Sequence, residues 1–428
     1  MEEVAVNLKK HGIAHLNFWC WLALSALVLQ LQCKKDDKPA GEDSAQGEES
    51  LTECQTAMKA WTQIWTATEE KTGLSGLTPG INLSDVWGAA PNDVYAVGFQ
   101  GVILHYDGKA WTPMTSGTTA DLEGLWGYVL KDDLGAIVKK DLFAVGASGT
   151  VLRSDGTTWT PLKSLLDPDP AHPNPQPITD AFHDVWGVAA AAVDAEPAVM
   201  AVGASGLISR LDSKTGEMRE MRQAVQFTDS TGKTRTEYQR WSPERLGGVF
   251  GTAANAFTAV GNSGTILQWN GTVWSRKTLT GFSTSMDGIW GRENADTRIV
   301  GLDGKVLKRK GSDSWEEVDL KLPPVYLRAW WTFDQPQCGQ PEPETTTPTD
   351  VHWEFYVGWE GALLLRKGEL SCPWEGLPSS RFEGIWGTPP RAEADRTNVN
   401  GEVQCDPVDV WITGVNGTLL RFSNPKGH

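Results

Sequence analysis

Two aromatic side chains stand where the matching positions of the chain are small. Trp359 lies in VGWEG and Phe99 in VGFQG, whereas the equivalent residues elsewhere are Ala147 and Ala204. An exposed aromatic in a turn can stack on a sugar ring or anchor a peptide. Trp331 similarly replaces a residue that is otherwise glycine, and these three are the candidate ligand contacts. Support for reaction chemistry is thinner. Tyr95, Tyr106 and Tyr356 fall inside repeated segments, and the histidines at 105, 172, 183 and 352 form neither a metal-ligand motif nor a triad order. Asp85 and Asp184 recur before an aromatic, and Asp93, Asp141 and Asp409 recur at the start of another segment. Such repetition predicts turn and cap chemistry. The chain has no phosphate-binding loop, dinucleotide fingerprint or HExxH. No catalytic residue, cofactor or metal site is expected.

The elements that position these residues repeat. From Leu83 the chain runs LSDVWG, NDVYAVG, FQGVILHYDG, KAWTPM, and from Leu122 it runs LEGLWG, KDLFAVG, ASGTVLRSDG, TTWTPL. The anchor aromatic of the first segment recurs at Trp87, Trp126, Trp186, Phe250, Trp290, Trp330 and Trp386. Seven units with closest spacings near 40 residues match the size of a four-stranded propeller blade. Alternating strands bounded by Gly and Asp-Gly are hairpin signals. The expectation is an all-β, seven-bladed β-propeller of four-stranded antiparallel blades. The last unit has no room for a fourth strand before His428, and residues 59–65 (KAWTQIW) copy the fourth-strand segment KAWTPMT. An N-terminal strand over 59–66 is therefore expected to complete the last blade and close the ring.

Alternate hairpin loops of a blade emerge on one face, which places Cys54, Cys338, Cys372 and Cys405 together. The expected pairs are Cys338–Cys372 within blade six and Cys54–Cys405 across the closure. The longest insertions, 128–140, 188–198, 332–352 and 388–408, share that face, and loops on a rigid scaffold commonly carry binding. The turns that hold Trp359 and Phe99 lie on the opposite face.

The N-terminus carries Lys9, Lys10 and His11, then an apolar run from Leu16 to Leu31 that is short for a membrane span. The run ends at Cys33, followed by Lys34-Lys35-Asp36-Asp37. This order resembles a bacterial lipoprotein signal, which implies residues 1–33 as signal peptide and Cys33 as the lipidated residue. Residues 34–58 are polar and suit a flexible tether, leaving 59–428 for the propeller. The repeats themselves resemble secreted bacterial β-propellers with VWG…AVG…GxIL units, related to Asp-box propellers; Ser154-Asp155-Gly156 before Trp159 is a shortened Asp-box. Glycosidases on such folds carry arginines, an acid and a tyrosine nucleophile around the axis, and no matching arginine pattern accompanies the tyrosines in this sequence.

A net charge of −16 argues against nucleic acid as a partner. The expectation is a non-catalytic, lipid-anchored binding module of a bacterial cell envelope, exported and held at the outer membrane or cell surface, with a protein or glycan ligand. The alternatives are a scaffolding subunit of an envelope complex and a divergent carbohydrate-active hydrolase. An enzyme would show carboxylates, or Tyr and Arg, converging at one end of the axis.

Overall fold

The structure is a computed structural model that describes residues 53–61, 66–69 and most of 80–424, the longest internal gaps being 336–350 and 389–397. Seven antiparallel sheets succeed one another along the chain as blades one to seven. Their first strands are Leu83–Ala90, Leu122–Lys131, Phe182–Val188, Leu246–Ala253, Met286–Trp290, Leu327–Gln335 and Phe382–Gly387. Each first strand lies against the first strands of the blades before and after it, and the seventh lies against the first. The result is a closed ring around an axis.

Both faces of a blade are buried against neighbours, which explains the nearly continuous apolar second strands. In Asp93–Gly98, Val94 and Ala96 pack towards Trp411 and Leu419 of blade seven. Tyr95 and Val97 pack towards Leu122, Leu125 and Leu142 of blade two. The Trp-Gly ending of the first strand has an equally specific cause. A Cβ added at Gly88 would sit 2.6 Å from the Trp386 ring, and one at Gly187 would sit 2.5 Å from that of Trp126. In these pairs the tryptophan of one blade lies on the glycine of the next, whereas at Gly251 and Gly291 the nearest atoms belong to Phe257 and Thr297 of the same blade. Blade six departs from this pattern, because there Trp331 rather than Trp330 covers the following glycine, Gly387, at 2.6 Å.

Blade three is enlarged: Ser164–Leu166 and Gln176–Pro177 extend its sheet to six strands, and Gln223–Thr228 pairs with Thr234–Gln239 as a separate hairpin. Glu220 anchors the base of that hairpin through Arg222 and Arg240. Arg222 also holds Asp169 at 3.1 Å.

Closure by an N-terminal strand is present, but it uses a different segment from the one expected. Thr66–Glu69 pairs antiparallel with the strand Leu419–Asn424, whereas residues 53–61 are helical. The sequence ECQTAMKAW is rich in good helix formers, and tertiary packing rewards the helix. Trp61 is buried and meets Trp353 of blade six edge-on at 5.4 Å. This placement also corrects the disulfide assignment: Cys54 is bonded to Cys372, with 5.4 Å between their Cα atoms. Cys372 lies on the outer strand of blade six, Leu370–Pro373, and the helix delivers Cys54 to it. Cys33, Cys338 and Cys405 lie outside the described residues. Among the described residues no helix is long and apolar enough to cross a membrane.

Candidate functional site at the axial mouth

One irregularity recurs in all seven blades and builds the site. The pairing of strands one and two skips a residue near the start of each first strand: between Leu83 and Asp85, Leu122 and Gly124, Phe182 and Asp184, Leu246 and Gly248, Met286 and Gly288, Leu327 and Ala329, and Phe382 and Gly384. A bulge leaves its extra residue unpaired and re-aims the side chain. The skipped residues are Ser84, Glu123, His183, Gly247, Asp287, Arg328 and Glu383, and all seven line the axial cavity. Their neighbours are alike from blade to blade, a large apolar residue before and Asp, Gly or Ala after, whereas these seven are nearly all different.

A second device frames the same opening. In each blade the turn between strands two and three has two successive residues at positive φ, such as Gln100 at 57° and Gly101 at 71°. The Val102 amide donates back to the Phe99 carbonyl at 3.2 Å, which is a type I′ turn. The turn is tied inward, because the Phe99 amide donates to the Asn82 carbonyl at 2.9 Å and the Trp359 amide to that of Tyr326 at 2.9 Å. Gly98, which precedes the turn, is extended at −169°. A Cβ there would lie 2.1 Å from the Asn82 carbonyl oxygen, so close approach is what requires glycine.

Four of the first residues of these turns, Phe99, Asn262, Trp359 and Val415, line the mouth. Phe99, Trp359 and Val415, from blades one, six and seven, form an apolar arc on a cavity of about 480 Å³. Phe99 is 39% exposed. Trp359 is half-buried, with Tyr326 edge-on at 4.3 Å and the Arg381 guanidinium 3.9 Å over its ring. Trp331 is not at the mouth. It is buried between Trp290 and Phe333 and serves packing.

The polar part of the mouth is a chain of ion pairs. Arg245 holds Asp287, Arg328 reaches Asp287 at 3.4 Å and Glu383 at 2.9 Å, and Arg381 reaches Glu383 at 3.0 Å. Glu123 pairs separately with His183 at 2.7 Å. Burial opposes the charge on Arg328, but Glu383 and Asp287 hold its pKa above the ordinary value. Burial, reinforced by Asp287, pushes the Tyr326 hydroxyl up to about 12, and that hydroxyl donates to Asp287. An adjoining cavity of about 130 Å³ is lined by Asp85 and Asp184 together with the skipped residues. Asp85 accepts from the Val86 amide and from the Leu125 amide of blade two, both at 2.8 Å. Asp184 does the same with Val185 and with Val249 of blade four. Burial pushes Asp85 up to about 7 and, with the charge of Asp85 added, Asp184 up to about 8.

These two carboxylates clamp adjacent blades; neither is a simple turn cap. Asp141 and Asp409 also differ from the cap expectation. They accept from Arg153 and Arg421 of their own third strands, at 2.7 and 2.8 Å, as Asp93 does from His105 at 2.9 Å.

Tyr, Arg and carboxylates thus do converge at one end of the axis, an arrangement the sequence had not disclosed. Their state suits binding better than bond breaking. Tyr326 is held protonated, and the Asp287 and Glu383 carboxylates are engaged by guanidiniums. A Thr332–His352–Asp334 line elsewhere has distances of 3.3 and 2.6 Å. The buried Thr332 hydroxyl, however, donates to the Trp353 carbonyl at 2.6 Å, which makes it a fold contact and no nucleophile. Among the described residues no group of three or more His, Cys, Asp and Glu is placed to hold a metal ion.

No protein-family model matches this sequence, and no curated protein matches it. Solved propellers do resemble the structure. YCF48 bound to D1 peptide aligns with a TM-score of 0.49 at 14% identity, covering 84% of this chain and 94% of that one. YCF48 from Cyanidioschyzon merolae aligns at 0.48 and 15%, covering 84% and 98%. The WD40 propeller domain of Doa1 aligns at 0.49 and 12%, covering 81% and 94%. Likeness at this level concerns the course of the chain and not its ligand.

Proposed function

We propose that this chain is a non-catalytic binding module that takes a protein or glycan ligand at the axial mouth of the turn face. The observation that carries the proposal is the bulge in every first strand. It directs six side chains of five kinds, with Gly247 at the seventh position, to one opening on a repeating ring, with Trp359 and Phe99 overhanging it. Residues that vary where their neighbours repeat are free of the packing duty that makes the rest alike. The N-terminal pattern ending at Cys33 supports an exported, lipid-anchored envelope protein, and the acidic net charge supports a partner other than nucleic acid. Scaffolding in an envelope complex is the second reading, favoured by the hairpin Gln223–Gln239, which stands apart from the blades with Phe227 and Tyr238 about 40% exposed.

The test exposes the full chain to panels of envelope glycans and peptides while retention and released products are both followed. Retention without products, weakened at least tenfold by Phe99→Ala with Trp359→Ala and not by loss of Phe227 and Tyr238, is the expected result. Released products would replace this reading with a hydrolase.

A further inference from the structure

We infer that the ligand of the mouth is the end of a peptide, seated by its free carboxylate with an apolar side chain beside it. The inference rests on the binding reading above and adds the chemistry of the ligand.

The first argument is charge. On blades four to seven, three guanidiniums, Arg245, Arg328 and Arg381, share two carboxylates, Asp287 and Glu383. Within this chain of ion pairs the guanidiniums outnumber the carboxylates by one, in a chain whose net charge is −16. Glu123 of the same cavity is paired with His183, and Asp85 and Asp184 lie deeper in the channel, away from the rim where Arg381 stands. A guanidinium excess in a partly desolvated site favours a carboxylate, which it binds through two parallel hydrogen bonds.

The second argument is position. The arginine excess and the apolar arc are on the same side of the opening, and in one place they touch, where Arg381 lies over the Trp359 ring. A carboxylate at Arg381 or Arg328 therefore places the adjoining side chain against Trp359, Val415 and Phe99. A chain end brings a carboxylate and a side chain within one residue of each other, which matches the close placement of Arg381 and the apolar arc.

The test uses the full chain, with fluorescence polarisation of two matched peptide libraries. Both are randomised at the last three positions; one has free carboxyl ends and the other carboxamides. Free-acid peptides ending in an apolar residue are expected to bind at least tenfold more tightly than their amides. Arg381→Gln should abolish that difference, and Trp359→Ala should weaken acid and amide alike by tenfold or more. Arg381→Lys, which keeps the charge but not the paired donors, should fall between. Unchanged melting of each variant establishes that the ring is intact.

Equal binding of acid and amide, with Trp359→Ala still harmful, would overturn the carboxylate and leave the mouth as the site. Binding indifferent to both substitutions would overturn both readings, whereas no peptide bound would overturn the peptide assignment alone. Preference for a uronate or sialyl oligosaccharide over every peptide would overturn the peptide assignment.

Discussion

Loss of the Cys54–Cys372 bond should weaken the ring severely, and the size of the effect follows from the topology. The bond spans 318 residues. Cross-linking a loop of that length removes roughly 19 cal/mol/K from the unfolded chain, about 6 kcal/mol at 25 °C in the chain-entropy treatment. Residual structure in the unfolded state brings realised values down to about 2–5 kcal/mol. The closing strand Thr66–Glu69 has only four residues in the ladder, and Ala67 to Glu69 are at least partly exposed. It therefore contributes little buried surface of its own. The helix bearing Trp61 and the bond to blade six hold it in place. Urea unfolding of the Cys54→Ser/Cys372→Ser double variant should show a loss of at least about 3 kcal/mol. Amide exchange should rise first in Thr66–Glu69 and Leu419–Asn424. A loss below about 0.5 kcal/mol, with exchange in those strands unaltered, would refute the reasoning.

Other consequences are smaller in scope. Gly187→Ala should cost about 1–3 kcal/mol by urea unfolding, because its methyl would meet the Trp126 ring at 2.5 Å. Trp331→Ala should cost about 3–5 kcal/mol and leave the intrinsic affinity of the folded protein for mouth ligands unchanged, since that ring is buried between blades. Asp85 and Asp184 are held above their unfolded values, so the folded chain keeps protons that the unfolded chain releases. Their stabilisation is complete below about pH 4 and is lost as pH rises through about 7 and 8. The urea midpoint should accordingly fall between pH 5 and 8.5, with a shallower fall in Asp85→Asn; a flat profile would contradict the assignment.

The fold was legible because its determinants repeat. Trp87 and its equivalents recur because they pack between blades, Trp126 and Trp386 directly on the next blade's glycine, and period and count follow from them. The closing segment was misplaced because KAWTQIW copies the local pattern of an outer strand, whereas Trp61 finds its partner, Trp353, nearly 300 residues away. Local resemblance cannot report such a contact. The disulfide pairing failed for the same reason, since a helix rather than a tether carries Cys54. The site was half legible. Phe99 and Trp359 stood out as large residues in small turns, but Trp331 stood out for a packing reason. The ring of Ser84, Glu123, His183, Asp287, Arg328 and Glu383 went unnoticed. Its signal was present as the most variable position inside a segment whose other positions keep their character. Attention to what repeats passes over that position, and only the bulge gives it a direction.

The most direct test of the account is a hydrogen-exchange footprint of the full chain, with and without the tightest ligand selected from peptide and glycan libraries. The account predicts protection at the turns Phe99–Gly101, Trp359–Gly361 and Val415–Gly417 and at the starts of the first strands around Arg328 and Glu383, with the opposite face unaffected. Protection confined to the insertions 128–140 and 188–198, with these turns unchanged, would contradict it and move the binding surface to the other side of the ring.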